Sequence, residues 1–441
     1  MVQAIRRNTE LSLLVLALVV GCAAMTLVTA ARQAGAVSTA APIMATVVAA
    51  YAVAHFVMRR VAREADPLLL PLAALLNFVG LAVVYRIDPV NYGAAQLMWT
   101  CIGLALFAGT LLFVRDFRIL STYKYIFGFA GLGLLVLPMS PLGAVINGAR
   151  LWVRLGPLSF QPGELAKICL VIFFAAYLAE RKELLAVATR HVAGFHVPDL
   201  KHFGPLLVMW GLSLLVMFYE TDLGSSLLFF SVFLVMLYIA TARAAYLAVG
   251  GGLFAIGAAI GYATFSHVQE RVQIWLNVFD PKLIHDEGYQ LAQSLFALAT
   301  GGLFGTGLGQ GRPNIIPAVQ TDFIFSALGE ELGLMGTAAV LLCFLLLVAR
   351  GLRIALLQRD DFAQLLAAGL TVIFAIQTII IVAGVTRLLP LTGITLPFMS
   401  YGGSSLISNF VLVALLVRLS QAQAAAPHPA QTSEILVGGR R

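Results

Sequence analysis

The sequence contains little charge. Only 11% of its 441 residues are Asp, Glu, Lys or Arg, and 60% are apolar. A soluble globular chain is about one quarter charged, so this composition excludes a soluble enzyme and indicates a polytopic membrane protein. Cysteine is also scarce. Its four residues lie inside apolar runs, which predicts buried side chains without a disulfide or a metal cage; they are Cys22, Cys101, Cys169 and Cys343.

The long apolar runs define the fold class. Runs of about 16 to 24 residues can cross the hydrocarbon core of a bilayer. We predict an all-α polytopic membrane protein with about twelve transmembrane helices and a large extracytoplasmic loop. The first run lacks a convincing signal-peptide cleavage site and is predicted to be a span. The runs lie near 11–30, 41–58, 67–85, 93–114, 125–145, 164–179, 204–219, 223–241, 244–266, 331–349, 363–386 and 404–420.

The distribution of positive charge predicts the orientation. The net charge is +7, and most of the 28 Lys and Arg fall in alternate connections. The positive-inside rule then places both termini in the cytoplasm, and no nucleic-acid partner is predicted. Residues 267–329 become a long outer loop whose glycine-rich turns and apolar patches predict a folded, partly re-entrant cap. The Ala-, Gln- and Pro-rich tail after residue 421 is predicted to be disordered.

A first polar cluster lies before and within the span at 164–179. Arg150 and Arg154 belong to the preceding outer connection, and Pro162 suits a helix entry. Glu164 and Lys167 are three residues apart and are predicted to pair on one helix face. Two interpretations remain open: an interfacial ion pair with snorkelling cations, or a binding site for a lipid pyrophosphate.

A second cluster is the short connection Glu220-Thr221-Asp222 between two spans. Thr221 or Asp222 is by default the cap of the following helix. Two acids in a connection without a cation also predict a cationic partner from the first cluster.

A third cluster occupies the long outer loop. It contains Gln290, Gln293, the run Gly305-Thr306-Gly307-Leu308-Gly309, Arg312 and the pair Thr321-Asp322. The glycines mimic a nucleotide-binding loop, but no strand precedes them, so backbone packing near the bilayer explains them better. Asp322 taken alone is more often a helix N-cap than a catalytic group.

One further outer segment, residues 389–405, includes Ser400. Its two prolines and paired glycines break a helix, so it is predicted to line a cavity rather than to face lipid.

Together these motifs resemble the SEDS family, the membrane peptidoglycan polymerases of the RodA, FtsW and SpoVE type. The resemblance covers about residues 65–420 and is carried by 147–167, 222–224, 288–294, 321–333 and 397–404. The family's usual core has ten spans, and the extra pair here resembles the N-terminal extension of actinobacterial RodA-like members. The predicted domains are therefore an extension at 1–64, a polymerase core at 65–420 and a disordered cytoplasmic tail at 421–441.

The resemblance implies a peptidoglycan glycosyltransferase of the bacterial cytoplasmic membrane. It would polymerise lipid II at the outer face, for cell-wall synthesis in elongation or division. Asp322 matches the family's essential aspartate and would be the catalytic base. Arg150, Arg154 and Lys167, with Arg312, would stabilise the pyrophosphate, and Glu164 would orient Lys167. Further substrate contacts are predicted at Asp222, Gln290, Gln293, Thr321 and Ser400.

The resemblance also bears on cofactors and partners. A divalent cation, Mg²⁺ or Mn²⁺, could share the stabilisation of the pyrophosphate, although no carboxylate cluster in the sequence fixes its site. The implied partner is a class B penicillin-binding protein, a single-span transpeptidase, with other elongation or division machinery. Ala318 stands where many members have Glu, so a functional role for a second acid at this position has no support in this sequence.

Two other function classes stay open on the sequence alone. Twelve spans with polar residues also describe a lipid II flippase or another transporter, although such carriers hold their ionisable groups near the bilayer midplane. An accessory scaffold that activates a partner is the other alternative, and it would leave the Asp322 motif idle.

Overall fold

The helices of the chain follow its apolar runs. The computed structural model describes residues 2–32, 37–146, 149–155, 158–186, 190–192, 195–197, 200–220 and 222–425. Its helices are α1 (Val2–Arg32), α2 (Val37–Val61), α3 (Leu69–Ile87), α4 (Ala94–Phe113), α5 (Arg118–Thr122), α6 (Lys124–Val136), α7 (Pro162–Ala186), α8 (Leu200–Tyr219), α9 (Leu223–Thr241), α10 (Ala244–Thr264), α11 (Ser266–Asn277), α12 (Tyr289–Gly301), α13 (Ile324–Leu356), α14 (Asp361–Val385) and α15 (Gly403–Ala425).

Each of the twelve predicted spans overlaps one of these helices, but the span predicted at 125–145 is too long, because the helix there ends at Met139 and residues Gly143–Ile146 form a strand. Ten are long and apolar enough to cross a membrane, and the other two correspond to the shorter apolar helices Lys124–Met139 and Gly204–Tyr219. The predicted all-α membrane fold is confirmed. Helix α15 continues to Ala425, five residues into the segment predicted to be disordered, and the rest of that segment lies outside the described residues.

Two small antiparallel sheets are an addition to the predicted architecture. Strands β1 (Gly143–Ile146), β2 (Ala149–Leu155) and β3 (Leu158–Phe160) form a sheet in that order between α6 and α7. Strands β4 (Arg190–Val192) and β5 (Phe195–Val197) pair between α7 and α8. Strand side chains alternate between faces, so Arg150 and Arg154 share one face of β2.

The core of the bundle is formed by α3, α7, α14 and α15. In α15, 94% of the most apolar 18-residue stretch is buried, compared with 78% of the same stretch in each of α3, α7 and α14 and 11% in α10. Helix α7 packs on α6, α9, α14 and α15. A helix that is apolar all round and still largely exposed suits contact with lipid, so α10 is peripheral and the other four are central.

The two N-terminal helices pack on the remainder of the bundle. Helix α1 contacts α3, and α2 contacts α4. The buried carboxylate of Glu10 lies between Arg7 and His55, with Glu10 Oε1 2.9 Å from His55 Nδ1. Tyr51 Oη donates to Asn77 Oδ1 over 3.0 Å and so joins α2 to α3. The predicted division at residue 64 stays a prediction.

The long connection between α10 and α13 is folded, as predicted. It contains α11, α12 and a glycine-rich turn at residues 302–312 that packs on α13. Gly305 has φ +80°, and a Cβ added there would lie 2.2 Å from the carbonyl oxygen of Glu331. The turn therefore requires glycine for close backbone approach as well as for its left-handed conformation.

Candidate active site

Asp322 is held just outside a helix and does not cap it. Helix α13 begins at Ile324, its N-cap is Phe323, and no side chain caps it. The prediction that Asp322 is a helix N-cap is therefore wrong. The chain turns at 318–323, so the Asp322 side chain precedes the first helical amide. It faces the segment after α14, where a Cβ added to Gly393 would lie 3.7 Å from Asp322 Oδ2.

The surroundings of Asp322 oppose its ionisation. Desolvation by the surrounding protein raises the pKa of Asp322 to about 6, and Asp222 adds a smaller effect in the same direction. The positive charge of Arg271 and a hydrogen bond from Thr321 act against that rise. The residue as a whole is half-buried. Asp322 is thus a more basic carboxylate than an exposed aspartate.

Arg271 is a site residue that the sequence reasoning missed. It lies on α11 and donates from Nη1 to the carbonyl oxygen of Leu391 over 2.7 Å. The same helix is fixed by Trp275, whose Nε1 donates to the Arg387 carbonyl oxygen, while Arg387 Nε donates to the Trp275 carbonyl oxygen. Its location on a short amphipathic helix of the outer loop was the available signal. Its proximity to Asp322 was not visible in the sequence.

The segment from Leu389 to Gly402 forms one wall of the site. Ser400 Oγ donates to the carbonyl oxygen of Thr321 over 2.6 Å and accepts from the amide of Leu396. The amide of Tyr401 donates to the carbonyl oxygen of Gln320 over 2.7 Å. The structure therefore brings Ser400 and Thr321 together as backbone supports for Asp322.

Glu164 and Lys167 pair as predicted and belong to a buried polar network. Lys167 Nζ is 2.6 Å from Glu164 Oε2, which also accepts from Ser408 Oγ. Lys167 Nζ donates to Gln377 Oε1 over 3.2 Å, and Gln377 Nε2 donates to the Thr395 carbonyl oxygen over 2.8 Å. Gln377, which the sequence reasoning did not single out, connects the ion pair to the wall segment.

Asp222 interacts electrostatically both with Glu164 and Lys167 of the network and with Asp322. Its side chain caps α9 by accepting from the amide of Ser225 over 2.9 Å, as the default interpretation predicted. Burial raises the pKa of Asp222, and Glu164 adds to the rise while Lys167 and the hydrogen bonds from Ser225 oppose it. Lys167 is the cation of the first cluster whose charge lowers the pKa of Asp222, but its ion pair is with Glu164, so the predicted cationic partner of this connection stays a prediction.

The neighbouring acid, Glu220, is more strongly affected. Burial, with a contribution from Asp222, raises the pKa of Glu220 to about 8. Because the group is then mostly protonated at neutral pH, it adds little negative charge to this side of the site.

The side chains of five predicted site residues make none of these contacts. Arg150 is exposed and donates to the carbonyl oxygen of Ser140 over 3.0 Å, and the Arg154 side chain is exposed on the same sheet. The Arg312 side chain is exposed, although its amide donates to Glu330 Oε1. The side chains of Gln290 and Gln293 form no hydrogen bond with any residue that the structure describes.

The glycine-rich turn is already bound to carboxylates. The amide of Gly309 donates to Glu331 Oε2 over 2.9 Å, and the amide of Arg312 donates to Glu330 Oε1 over 2.8 Å. Amides engaged in this way cannot cradle a phosphate, so the nucleotide-loop interpretation does not hold. Within the described ranges no group of three or more His, Cys, Asp or Glu could hold a metal ion.

Comparisons with known proteins agree with this architecture. The family model of cell cycle proteins of the FtsW, RodA and SpoVE type matches residues 66–425. The chain is 46% identical over 427 residues to the peptidoglycan glycosyltransferase RodA of Mycobacterium tuberculosis, covering 94% of this chain and 90% of the relative. It is 34% identical over 370 residues to the stage V sporulation protein E of Bacillus subtilis, covering 81% and 97%.

Two solved structures have the same fold. A chain from a peptidoglycan synthase complex, described as coordinating polymerization and crosslinking, matches with a TM-score of 0.67 and 27% identity over 82% of this chain and 99% of its own. The rod shape determining protein RodA of Thermus thermophilus matches with a TM-score of 0.57 and 26% identity over 82% and 98%.

Proposed function

Because the chain belongs to the FtsW, RodA and SpoVE family and is a peptidoglycan glycosyltransferase, we propose that Asp322 is its catalytic base. A carboxylate with a pKa near 6 is mostly ionised at neutral pH and is more basic than an ordinary aspartate. A general base works best when its pKa lies near the operating pH. The raised pKa of a partly accessible Asp322, free of any capping role, is the observation that carries the proposal.

The proposed reaction is inverting glycosyl transfer between two lipid II-derived chains. The 4-hydroxyl of an acceptor GlcNAc attacks the anomeric carbon of a MurNAc that carries a polyprenyl pyrophosphate. Asp322 accepts the hydroxyl proton as the new glycosidic bond forms, and the bond from the anomeric carbon to the pyrophosphate oxygen breaks with its electron pair. The products are a longer glycan, a polyprenyl pyrophosphate anion and a protonated Asp322, which must release its proton before the next cycle.

Two groups of cations serve different parts of this reaction. Arg150 and Arg154 are exposed on one face of β2, where they can bind the pyrophosphate of a membrane-embedded lipid. Lys167 is only 4% exposed and is held by Glu164 and Gln377, so it acts by positioning the wall segment. Of the charged groups, Arg271 has the largest effect on the pKa of Asp322, and it favours the ionised form of that carboxylate.

The remaining predicted substrate contacts fall into two sets. Thr321 and Ser400 support the Asp322 peptide, and Asp222 lies beside the buried network. Gln290, Gln293 and Arg312 keep side chains that no described residue binds, so they are proposed to contact substrate. Both termini are proposed to be cytoplasmic, which places the site at the outer face of the membrane.

The flippase alternative finds less support. Every buried acidic, basic or histidine side chain that the structure describes lies within about two turns of a helix end or in a connection. Carriers place their ionisable sites near the midplane of the bilayer. Chemistry at the membrane surface on a lipid headgroup therefore explains the placement better.

A partner that crosslinks the new strands is proposed as well. The similar solved chain belongs to a complex that coordinates polymerization with crosslinking. We expect this chain to work with a class B penicillin-binding protein and with other elongation or division machinery.

The test uses purified Asp322→Asn with its cognate partner and lipid II. We expect glycan polymerisation to fall by about 10²–10⁴, the range typical of a lost general base. Asp286→Asn is the matched control, because Asp286 is an exposed acid of the same outer loop, and it should polymerise at the normal rate. Normal polymerisation by Asp322→Asn would exclude Asp322 as the base. Equal movement of lipid II across liposomes with and without the protein would exclude the flippase.

A further inference from the structure

A cavity lies at the opposite end of the bundle from Asp322. It has a volume of about 400 Å³ and is bordered by the ends of α4, α13 and α15 and by the start of α14. Helix α14 alone has 25 residues and is about 37 Å long, which separates this cavity from the wall segment that follows the helix. It opens at the membrane end predicted to be cytoplasmic.

The lining of the cavity is rich in arginine. Four arginines and two aspartates contribute to it, so its side chains carry two more positive than negative charges; they are Arg115, Arg118, Arg359, Arg418, Asp116 and Asp360. The acids are already engaged. Asp116 accepts from the amide of Arg118, and Asp360 caps α14 while its other oxygen lies 3.6 Å from Arg118 Nε.

Arg418 is the most unusual member of this lining. It is only 6% exposed, yet it contacts backbone carbonyl oxygens instead of a carboxylate. Its Nη1 donates to Val61 over 3.1 Å, its Nη2 donates to Leu111, and its Nε has no hydrogen-bond partner in the described part of the chain. A buried guanidinium is costly without a counter-charge, so the arrangement calls for an anion from outside the protein.

We propose that this cavity binds a phosphate-bearing anion. Guanidinium groups match phosphate oxygens in geometry and charge. Phe113 and Leu356, at the ends of the bordering helices, are 88% and 76% exposed and provide an apolar surface for acyl chains. Basic pockets between transmembrane helices on the cytoplasmic side commonly bind anionic lipid headgroups, and a soluble phosphate would use the same contacts.

The test measures binding directly, independently of polymerase activity. Native mass spectrometry of the purified full-length chain would compare phosphatidylglycerol with phosphatidylcholine, and inorganic pyrophosphate would serve as the soluble competitor. The double variant Arg115→Gln/Arg359→Gln removes two lining charges without touching buried Arg418. We expect its apparent affinity for phosphatidylglycerol to fall by roughly ten- to thirtyfold.

The control is Arg59→Gln/Arg63→Gln, which removes the same charge from exposed positions at the same membrane end. It should bind phosphatidylglycerol as the unmodified chain does. Displacement of the lipid by pyrophosphate would support the site and assign it to soluble phosphates, whereas no displacement would assign it to lipid. Equal binding by both double variants, or equal binding of phosphatidylcholine and phosphatidylglycerol, would overturn the proposal.

Discussion

As the proposed base, Asp322 combines two properties that usually conflict. The protein around it raises its pKa to about 6, which makes it a better proton acceptor than an exposed aspartate. Arg271 limits that rise, so the group is still mostly ionised at neutral pH. Removal of either influence should shift the pH at which the enzyme becomes active.

The pH dependence of polymerisation should report this balance. We expect activity to be lost as the pH falls through about 6, because Asp322, the proposed base, becomes protonated. Arg271→Gln should move this limb to higher pH, since the favourable positive charge is gone, whereas Arg271→Lys should leave it nearly in place. Initial rates across the pH range for the three chains would decide. A limb that stays unchanged in Arg271→Gln would contradict an electrostatic role for Arg271.

The same raised pKa predicts a stability effect. The folded chain holds the Asp322 proton more tightly than the unfolded chain, so this group stabilises the fold fully below about pH 4 and loses that effect as the pH rises through about 6. Asp322→Asn should therefore raise the free energy of unfolding at pH 7.5, by at most about 3 kcal/mol. The gain should vanish near pH 4. Thermal melts in detergent at both pH values would measure it, and an equal gain at both would contradict the assignment.

At the scale of single residues, Asp322 could be predicted as a site residue from the sequence, but the residues that surround it could not. The Thr321-Asp322 pair stands at the start of an apolar run, which makes it visible as a motif. Arg271 lies far away along the chain, and its effect on Asp322 depends on how α11 folds over the wall segment. Capping was the wrong expectation, because the helix begins two residues after Asp322 and the turn from Ala318 to Phe323 directs the carboxylate elsewhere.

At the scale of elements, the polar network joins three central helices to the wall of the site. Glu164 and Lys167 come from α7, Gln377 from α14 and Ser408 from α15. Gln377 then reaches the Thr395 carbonyl oxygen. Buried ion pairs contribute little net stability compared with apolar replacements, but the loss of one partner is costly.

Because replacing both partners costs less stability than removing one, the role of this ion pair in activity can be tested separately from its role in stability. Lys167→Met alone should destabilise the fold by about 3–5 kcal/mol, because it leaves Glu164 buried without its partner. The double variant Glu164→Gln/Lys167→Met should recover most of that stability and still polymerise poorly. Melting temperatures and initial rates would be measured on both. Full activity in the stable double variant would show that the network has no part in positioning the site.

The elements themselves were predictable to different degrees. The spans were visible because long apolar runs have few alternatives in a membrane protein. The sheet β1–β3 was not, since its longest strand, β2, has seven residues and lies in a polar connection. Helices α11 and α12 were also hidden inside the outer loop, where 12 and 13 residues with mixed polarity give only a short periodic signal.

At the scale of the whole molecule, the N-terminal helices are linked to the active-site wall through Asn77. Tyr51 on α2 donates to Asn77 Oδ1, and Asn77 Nδ2 is 3.5 Å from the carbonyl oxygen of Phe398. Gly309 of the glycine-rich turn packs on Ala31 of α1, where an added Cβ would lie 2.6 Å from the Ala31 Cβ. The N-terminal helices therefore contact the glycine-rich turn directly and are linked to the wall segment through Asn77.

Tyr51→Phe tests whether the extension supports the core. Removal of the hydroxyl leaves the fully buried Asn77 Oδ1 without its donor, so we expect a loss of about 1–3 kcal/mol in the free energy of unfolding. Polymerase activity should fall as well, because Asn77 also borders the Phe398 carbonyl oxygen of the wall segment. Tyr238→Phe is the matched control, since Tyr238 is 40% exposed on α9 and should tolerate the change. If both variants had the same melting temperature and polymerase activity, the N-terminal helices would contact the core without contributing to its stability or activity through Tyr51.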